Sequence, residues 1–119
     1  MQLKQPNKTR INFQDIQWGE LDYDGSSKVL FNNKLFSGYV VYDRYDNNNI
    51  MNEIEYKNGS HLGWENEYNI QGQLTYSCLT VGETPLEVYK YDDNGVLTNH
   101  WKTVGDAYYQ EMARKYNLD

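Results

Sequence analysis

The chain has 119 residues, 11 basic and 17 acidic side chains, a formal charge of −6 and a pI near 4.8, which suits one domain with a modest core. That charge has the wrong sign for a phosphate backbone or an anionic membrane surface and favours a basic partner, although mild acidity also simply keeps a protein soluble. Mean hydropathy is low, yet twelve tyrosines, three tryptophans and three phenylalanines are too many for a disordered chain, so an aromatic core is expected.

Residues 1–28 open with MQLKQPNKTR, in which no apolar run follows the charges, and no later segment approaches the roughly 18 apolar residues of a membrane helix. A cytoplasmic protein without an export signal or membrane anchor is expected. The pairs Ile11/Phe13, Ile16/Trp18 and Leu21/Tyr23, followed by turn chemistry at Asp24-Gly25-Ser26-Ser27, predict a strand or two added to one edge of a sheet.

Residues 29–105 carry a repeat. Tyr45, Tyr68 and Tyr91 are spaced by 23, as are Asn49, Gly72 and Gly95, then Met51, Leu74 and Leu97, and finally Gly59, Gly82 and Gly105. Between these turn signals lie short segments rich in Tyr, Trp, Val, Ile and Thr, which is strand chemistry, so each unit predicts a β-hairpin. Gly59, Gly72 and Gly95 would supply positive φ at the turns, and Asn49 replaces glycine as asparagine best can. One such hairpin cannot bury an apolar face alone; about three must stack, with Tyr45/Tyr68/Tyr91 and Met51/Leu74/Leu97 forming ladders. In the third unit Pro85 cannot donate to a ladder, which predicts a strand starting at or after it.

From Asp106 the period changes. Tyr109, Met112, Ala113 and Tyr116 follow i, i+3, i+4, i+7, Asp106 is placed to cap, and Glu111 with Lys115 is an i,i+4 pair, predicting a helix over 106–117 that closes the stack. The expected fold is therefore mainly β: a single domain, an antiparallel meander of about three hairpin repeats of period 23, with a C-terminal capping α-helix.

Little in the chain points to chemistry. Cys78 is the only cysteine, which excludes an intrachain disulfide and a cysteine-cluster zinc site and fits a reducing compartment. His61 lies in the turn Asn58-Gly59-Ser60-His61 and His100 falls at the repeat position of Ile54 and Ser77, so no spacing links the two to a metal or a nucleophile. Placing Gly95 or Gly25 at the sixth position of a calcium loop puts Trp101 or Phe31 at the twelfth, where a bidentate carboxylate is needed. No glycine-rich phosphate loop precedes a helix. The expectation is no enzyme, no cofactor, no metal and no nucleic acid.

The stretches Leu35-Phe36-Ser37-Gly38, Glu53-Ile54-Glu55-Tyr56-Lys57-Asn58-Gly59, Gly63-Trp64 through Tyr68 to Gly72-Gln73-Leu74, and more weakly Tyr91-Asp92-Asp93-Asn94-Gly95-Val96-Leu97, resemble the YwqK-type antitoxin and immunity proteins, a variant of the MORN repeat. The resemblance covers roughly residues 29–105; it departs at Asn49, at Thr84-Pro85 and in having only three recognisable units. It implies a meandering antiparallel sheet, no catalysis, and service as the bacterial immunity partner of a neighbouring toxin domain in a one-to-one complex, as in contact-dependent growth inhibition.

Strand alternation then selects a candidate surface. Glu65 and Glu67 share one face, Trp64 and Tyr68 the other, and Glu53 and Glu55 share a face in the preceding strand. Asp92 and Asp93 add charge at a turn, with Tyr89 two strand positions before Tyr91. Under the resemblance, Glu53, Glu55, Glu65, Glu67, Tyr89, Asp92 and Asp93 would meet the basic cleft of a toxin, a nuclease in the expected case, in place of substrate phosphates. Two other readings compete: a carbohydrate or cell-wall binding module using exposed aromatics, and a MORN-like scaffold.

Overall fold

The structure, a computed structural model, describes residues 3–21 and 26–118. Tyr23, Asp24 and Gly25 of the expected edge segment lie outside the described residues. The chain is mainly β, with antiparallel strands in a meander and a helix at the C-terminus. Among the described residues no helix is long and apolar enough to cross a membrane.

The N-terminal segment supplies β1 (Arg10–Asn12), a single 3-10 turn (Phe13–Asp15) and β2 (Gln17–Leu21). There follow β3 (Ser27–Phe31), β4 (Lys34–Leu35), β5 (Gly38–Arg44), β6 (Ile50–Lys57), β7 (Ser60–Tyr68), β8 (Leu74–Val81), β9 (Thr84–Tyr91), β10 (Leu97–Lys102) and α1 (Asp106–Lys115). Seven strands form one sheet in the order β1-β5-β6-β7-β8-β9-β10, with β1 parallel to β5 and every other pair antiparallel. The segment 29–35, at the start of the expected repeat region, belongs instead to a small antiparallel sheet, β2-β3-β4.

The hairpin turns fix the repeat more finely than spacing alone. Asn48 N–H donates to Tyr45 O, Gly72 N–H to Asn69 O and Gly95 N–H to Asp92 O. The positive φ values fall on Asn48 (73°), Gly72 (85°) and Gly95 (80°). The interval is therefore 24 from the first turn to the second and 23 from the second to the third, and asparagine takes the glycine role at Asn48, not Asn49. Asn49 instead ties two turns together, since its side-chain amide, with that of Asn47, donates to Ile70 O in the neighbouring turn. The equivalent apolar residues become Ile50, Leu74 and Leu97, each opening its strand. Ile50 packs with Val41 and Tyr68 against Leu3 and Leu74, while Leu97, on the last strand, is 49% exposed.

At the opposite end, Asn58 and Gly59 both take positive φ, the backbone that suits a two-residue hairpin turn. Gly59 accepts from Val29 N–H of the small sheet and donates to the carbonyl of Phe36, the residue after β4. A Cβ there would lie 3.0 Å from Val29 O, so only glycine lets the two sheets close at this point. The strand β9 begins at Thr84, one residue before Pro85. Proline is tolerated because the ladder shifts register beside it, between Leu79 and Thr80.

Two layers cover the large sheet. The small sheet covers only the β5–β6 part of one face, where Val29, Phe36, Val40 and Tyr56 are buried with Ile11, Ile16, Phe31 and Ile54 against them, and leaves the rest of that face accessible. On the opposite face, Tyr39, Trp64 and Leu79 pack with Tyr89 of β9 against Tyr109 of α1 and Leu118. The stripe expected on α1 is the one observed: Tyr109, Met112, Ala113 and Tyr116 are half-buried while their helical neighbours are exposed. Gly105, at the next turn position of the repeat, is the N-cap, and Asp106 is the first helical residue.

Candidate interaction surface

Cross-strand register assembles one polar row on the face that α1 covers. Glu53 pairs with Asn66, Asn66 with Ser77, Ser77 with Tyr89, and Tyr89 with His100. The side chains follow suit. Ser77 Oγ donates to Asn66 Oδ1 at 2.7 Å, Asn66 Nδ2 to Glu53 Oε2 at 2.9 Å, and the Tyr89 and His100 rings stack at 4.0 Å. His100 is thus the repeat equivalent of Ser77 and Glu53, and not of Ile54.

The N-terminal segment runs over this row and neutralises it. Arg10 donates to Glu53 through Nε at 2.8 Å and Nη2 at 3.0 Å, and Tyr68 OH donates to Glu53 Oε2 at 2.6 Å. Lys8 Nζ reaches Glu55 Oε2 at 2.5 Å, and Trp64 N–H donates to Glu55 Oε1 at 3.1 Å. Gly63 admits this carboxylate: a Cβ there would lie 2.1 Å from Glu55 Oε1. Lys4 Nζ sits 3.8 Å from the Trp64 ring centroid, and burial lowers its pKa against the opposing pull of Glu87. For Arg10, burial acts downward, but Glu53 outweighs it and the pKa is raised.

A second knot holds α1. Glu87 accepts from Tyr109 OH at 2.7 Å and Tyr89 OH at 3.1 Å and pairs with His100 Nε2 at 2.6 Å. Burial pushes the Glu87 carboxyl up, but these hydrogen bonds prevail and hold it below the usual carboxylate range. The same contacts, after burial, push Tyr109 up to about 12.

The other face of the large sheet differs. Its rows are Ile54, Glu65, Cys78, Val88 and Trp101, and Asn52, Glu67, Tyr76, Lys90 and Asn99. Glu67, Lys90, Asn99 and Trp101 are exposed and Glu65 is half-buried. Tyr42, Asp43, Asn52, Glu65, Glu67 and Tyr76 line a shallow groove of about 290 Å3. Burial first, then Cys78 and the charges of Glu65 and Glu67, push Tyr76 up to about 12. Glu65 Oε1 contacts His61 Nε2 at 2.9 Å. Cys78 is buried, and that burial raises its thiol.

The seven residues singled out from sequence are therefore not one surface. Glu65 and Glu67 lie together on the accessible face. Glu53 and Glu55, 1% and 2% exposed, lie on the opposite face under Lys8 and Arg10, and cannot meet a partner while those pairs stand. Tyr89 is on that covered face as well. Asp92 and Asp93 sit in the β9–β10 turn, where the Asp92 carboxylate accepts from Asn94 and Val96 N–H. The match between Lys8-Thr9-Arg10 and Glu53-Ile54-Glu55, both charged at i and i+2, is the signal that could have revealed the internal pairing. Glu87, which gathers Tyr89, His100 and Tyr109, was missed. The signal was a lone carboxylate inside Leu86-Glu87-Val88, a run otherwise fit for burial.

Among the described residues no group of three or more His, Cys, Asp or Glu is arranged to hold a metal ion. No family model matches the chain, and neither a curated protein nor a solved structure matches it.

Proposed function

We propose that this chain is an immunity protein, acting in the cytoplasm by binding and not by catalysis, that neutralises a toxin domain with a basic cleft, a nuclease in the leading case. The reading starts from the resemblance of residues 29–105 to YwqK-type repeats. The observation that carries it is the grouping of Glu65, Glu67 and Asp43 with Tyr42 and Tyr76 around one groove on the accessible sheet face. Carboxylates at a rim with tyrosines between them suit a cationic protein surface, because the charges steer encounter and the rings supply area that can be desolvated. The partner set narrows accordingly to Glu65 and Glu67, extended by Asp43, Tyr42 and Tyr76, with Glu53 and Glu55 as internal supports.

The test is co-expression with the C-terminal domain of the exported protein encoded immediately upstream, scoring survival and co-purification of a one-to-one complex. Cells that die from the domain alone and live with this chain bound to it support the reading. Glu65→Lys with Glu67→Lys should then weaken the complex by about tenfold or more, with the far-ultraviolet spectrum intact. A harmless neighbour, or a toxic one that never binds, refutes the proposal; unchanged affinity in the double variant removes this face from the interface.

A further inference from the structure

The small sheet and the large sheet leave a hollow between them, lined by Trp18 of β2, Ser26, Ser27 of β3, Tyr56 of β6 and His61 of β7, with a volume of about 600 Å3. Trp18 has 54% of its surface exposed, and Phe13 meets it edge-on at 6.2 Å. The Tyr56 ring lies 5.7 Å from His61, and its hydroxyl is 2.6 Å from that of Tyr42. His61 in turn contacts Glu65 at 2.9 Å. The lining is thus aromatic with two serines, and its His61 contacts the half-buried Glu65 carboxylate that also borders the acidic groove.

We infer that this hollow receives an arginine side chain from the protein partner, its guanidinium against the Trp18 and Tyr56 rings and its charge directed to Glu65. The inference rests on the reading of the chain as a binder of a basic domain, and adds the anchor by which it would hold one. A guanidinium suits the site better than an ammonium. It is planar, stacks on aromatic faces, is less strongly hydrated, and offers a fork of donors that a carboxylate and serine hydroxyls can accept. A net charge of −6 draws a cation to this rim, whereas a neutral sugar would use the rings but gain nothing from Glu65. Large residues filling a pocket beside a polar rim are also where interfaces concentrate their energy.

The experiment needs no toxin. Isotope-labelled protein is titrated with N-acetylarginine amide, N-acetyllysine amide and methyl β-glucoside at constant ionic strength, following the Trp18 indole and His61 ring signals, with the buried Trp64 indole as internal reference. Arginine amide should shift Trp18 and His61 saturably, with a dissociation constant about threefold or more below that of lysine amide. Trp18→Ala, at an exposed position, and Glu65→Gln, isosteric at a half-buried one, should each bring the arginine response down to the lysine one. Equal response to the two cations, no saturable shift, or a saturable shift with the glucoside alone overturns the inference. Arginine binding here with no rescue of toxin-expressing cells would leave the pocket standing and refute the immunity reading; rescue without arginine binding would do the reverse.

Discussion

Removing the Glu53 carboxylate tests whether the N-terminal segment is an integral part of the fold. Glu53 is 1% exposed and accepts from Arg10 twice, from Asn66 and from Tyr68. Breaking a buried ion pair by deleting one member costs roughly 3–5 kcal/mol, because the other charge is left without compensation. Here Arg10 keeps bonds to Lys4 O, Gln5 O and Lys8 O and stands over the Tyr39 ring at 4.4 Å. The lower end of that range applies, so Glu53→Ala should cost about 3 kcal/mol. At about 2.1 cal/mol/K of unfolding entropy per residue, that lowers the melting temperature by roughly 12 °C. Arg10→Met should cost about 2 kcal/mol, and the double variant should fall short of the sum by about 2 kcal/mol. Urea unfolding followed by circular dichroism supplies all three values. A cost below about 1 kcal/mol for Glu53→Ala, or additivity within about 0.5 kcal/mol, would mean that Arg10 and Glu53 are solvated and the segment is not docked.

The turn register gives a contrast between neighbours. Asn48→Gly should stabilise the fold by a few tenths of a kcal/mol, up to about 1, since φ of 73° strains any residue with a Cβ; Asn49→Gly should destabilise it by about 1 kcal/mol through loss of its bond to Ile70 O and added chain freedom. Denaturation midpoints showing the opposite order would restore a uniform 23-residue repeat. On the alkaline side, burial raises the Tyr39, Tyr56 and Tyr68 phenols well above their usual range. A raised acid favours its neutral form in the folded state, so the stabilisation is complete below the ordinary tyrosine pKa of about 10 and is lost as pH rises beyond it. Absorbance at 295 nm should show a group of tyrosines ionising only together with loss of the circular dichroism signal; smooth ionisation of all twelve near pH 10 with native dichroism would contradict this.

Backbone demands were the most legible part of the sequence. Turn glycines, aromatic and β-branched runs and the switch to helical spacing at Asp106 each reflect a local constraint, and they located the hairpins of the large sheet and α1. The one-residue error at Asn47-Asn48-Asn49 arose because three asparagines in a row are alike in sequence; the positive φ of Asn48 and the bonds of Asn47 and Asn49 to Ile70 in the next turn distinguish them. Alternation correctly paired Glu65 with Glu67 and Glu53 with Glu55. It could not say which pair would be covered, because that is decided by residues more than forty positions away at Lys8 and Arg10. The parallel addition of β1 to β5 was hidden for the same reason: three half-buried residues, Arg10, Ile11 and Asn12, carry no strand period of their own.

The division of carboxylates between the two faces follows from where the cations are. Glu53, Glu55 and Glu87 each hold a basic side chain or imidazole, from Arg10, Lys8 and His100. Among the described residues, the accessible face gives Glu65 the His61 imidazole alone and places no cation within ion-pair distance of the Glu67 carboxylate. The accessible face therefore keeps two carboxylates that no lysine or arginine pairs with, although Lys90 stands in the same row as Glu67, and an approaching cationic surface would feel them at distances of about the Debye length. The same asymmetry separates stability from binding. Reversing Glu67, solvent-exposed on a strand face, should change folding free energy by no more than about 0.5 kcal/mol, whereas each carboxylate on the covered face is tied to the docking of a chain terminus. Under the proposed binding role, specificity could therefore drift on one face of this sheet without disturbing the contacts that hold the other closed.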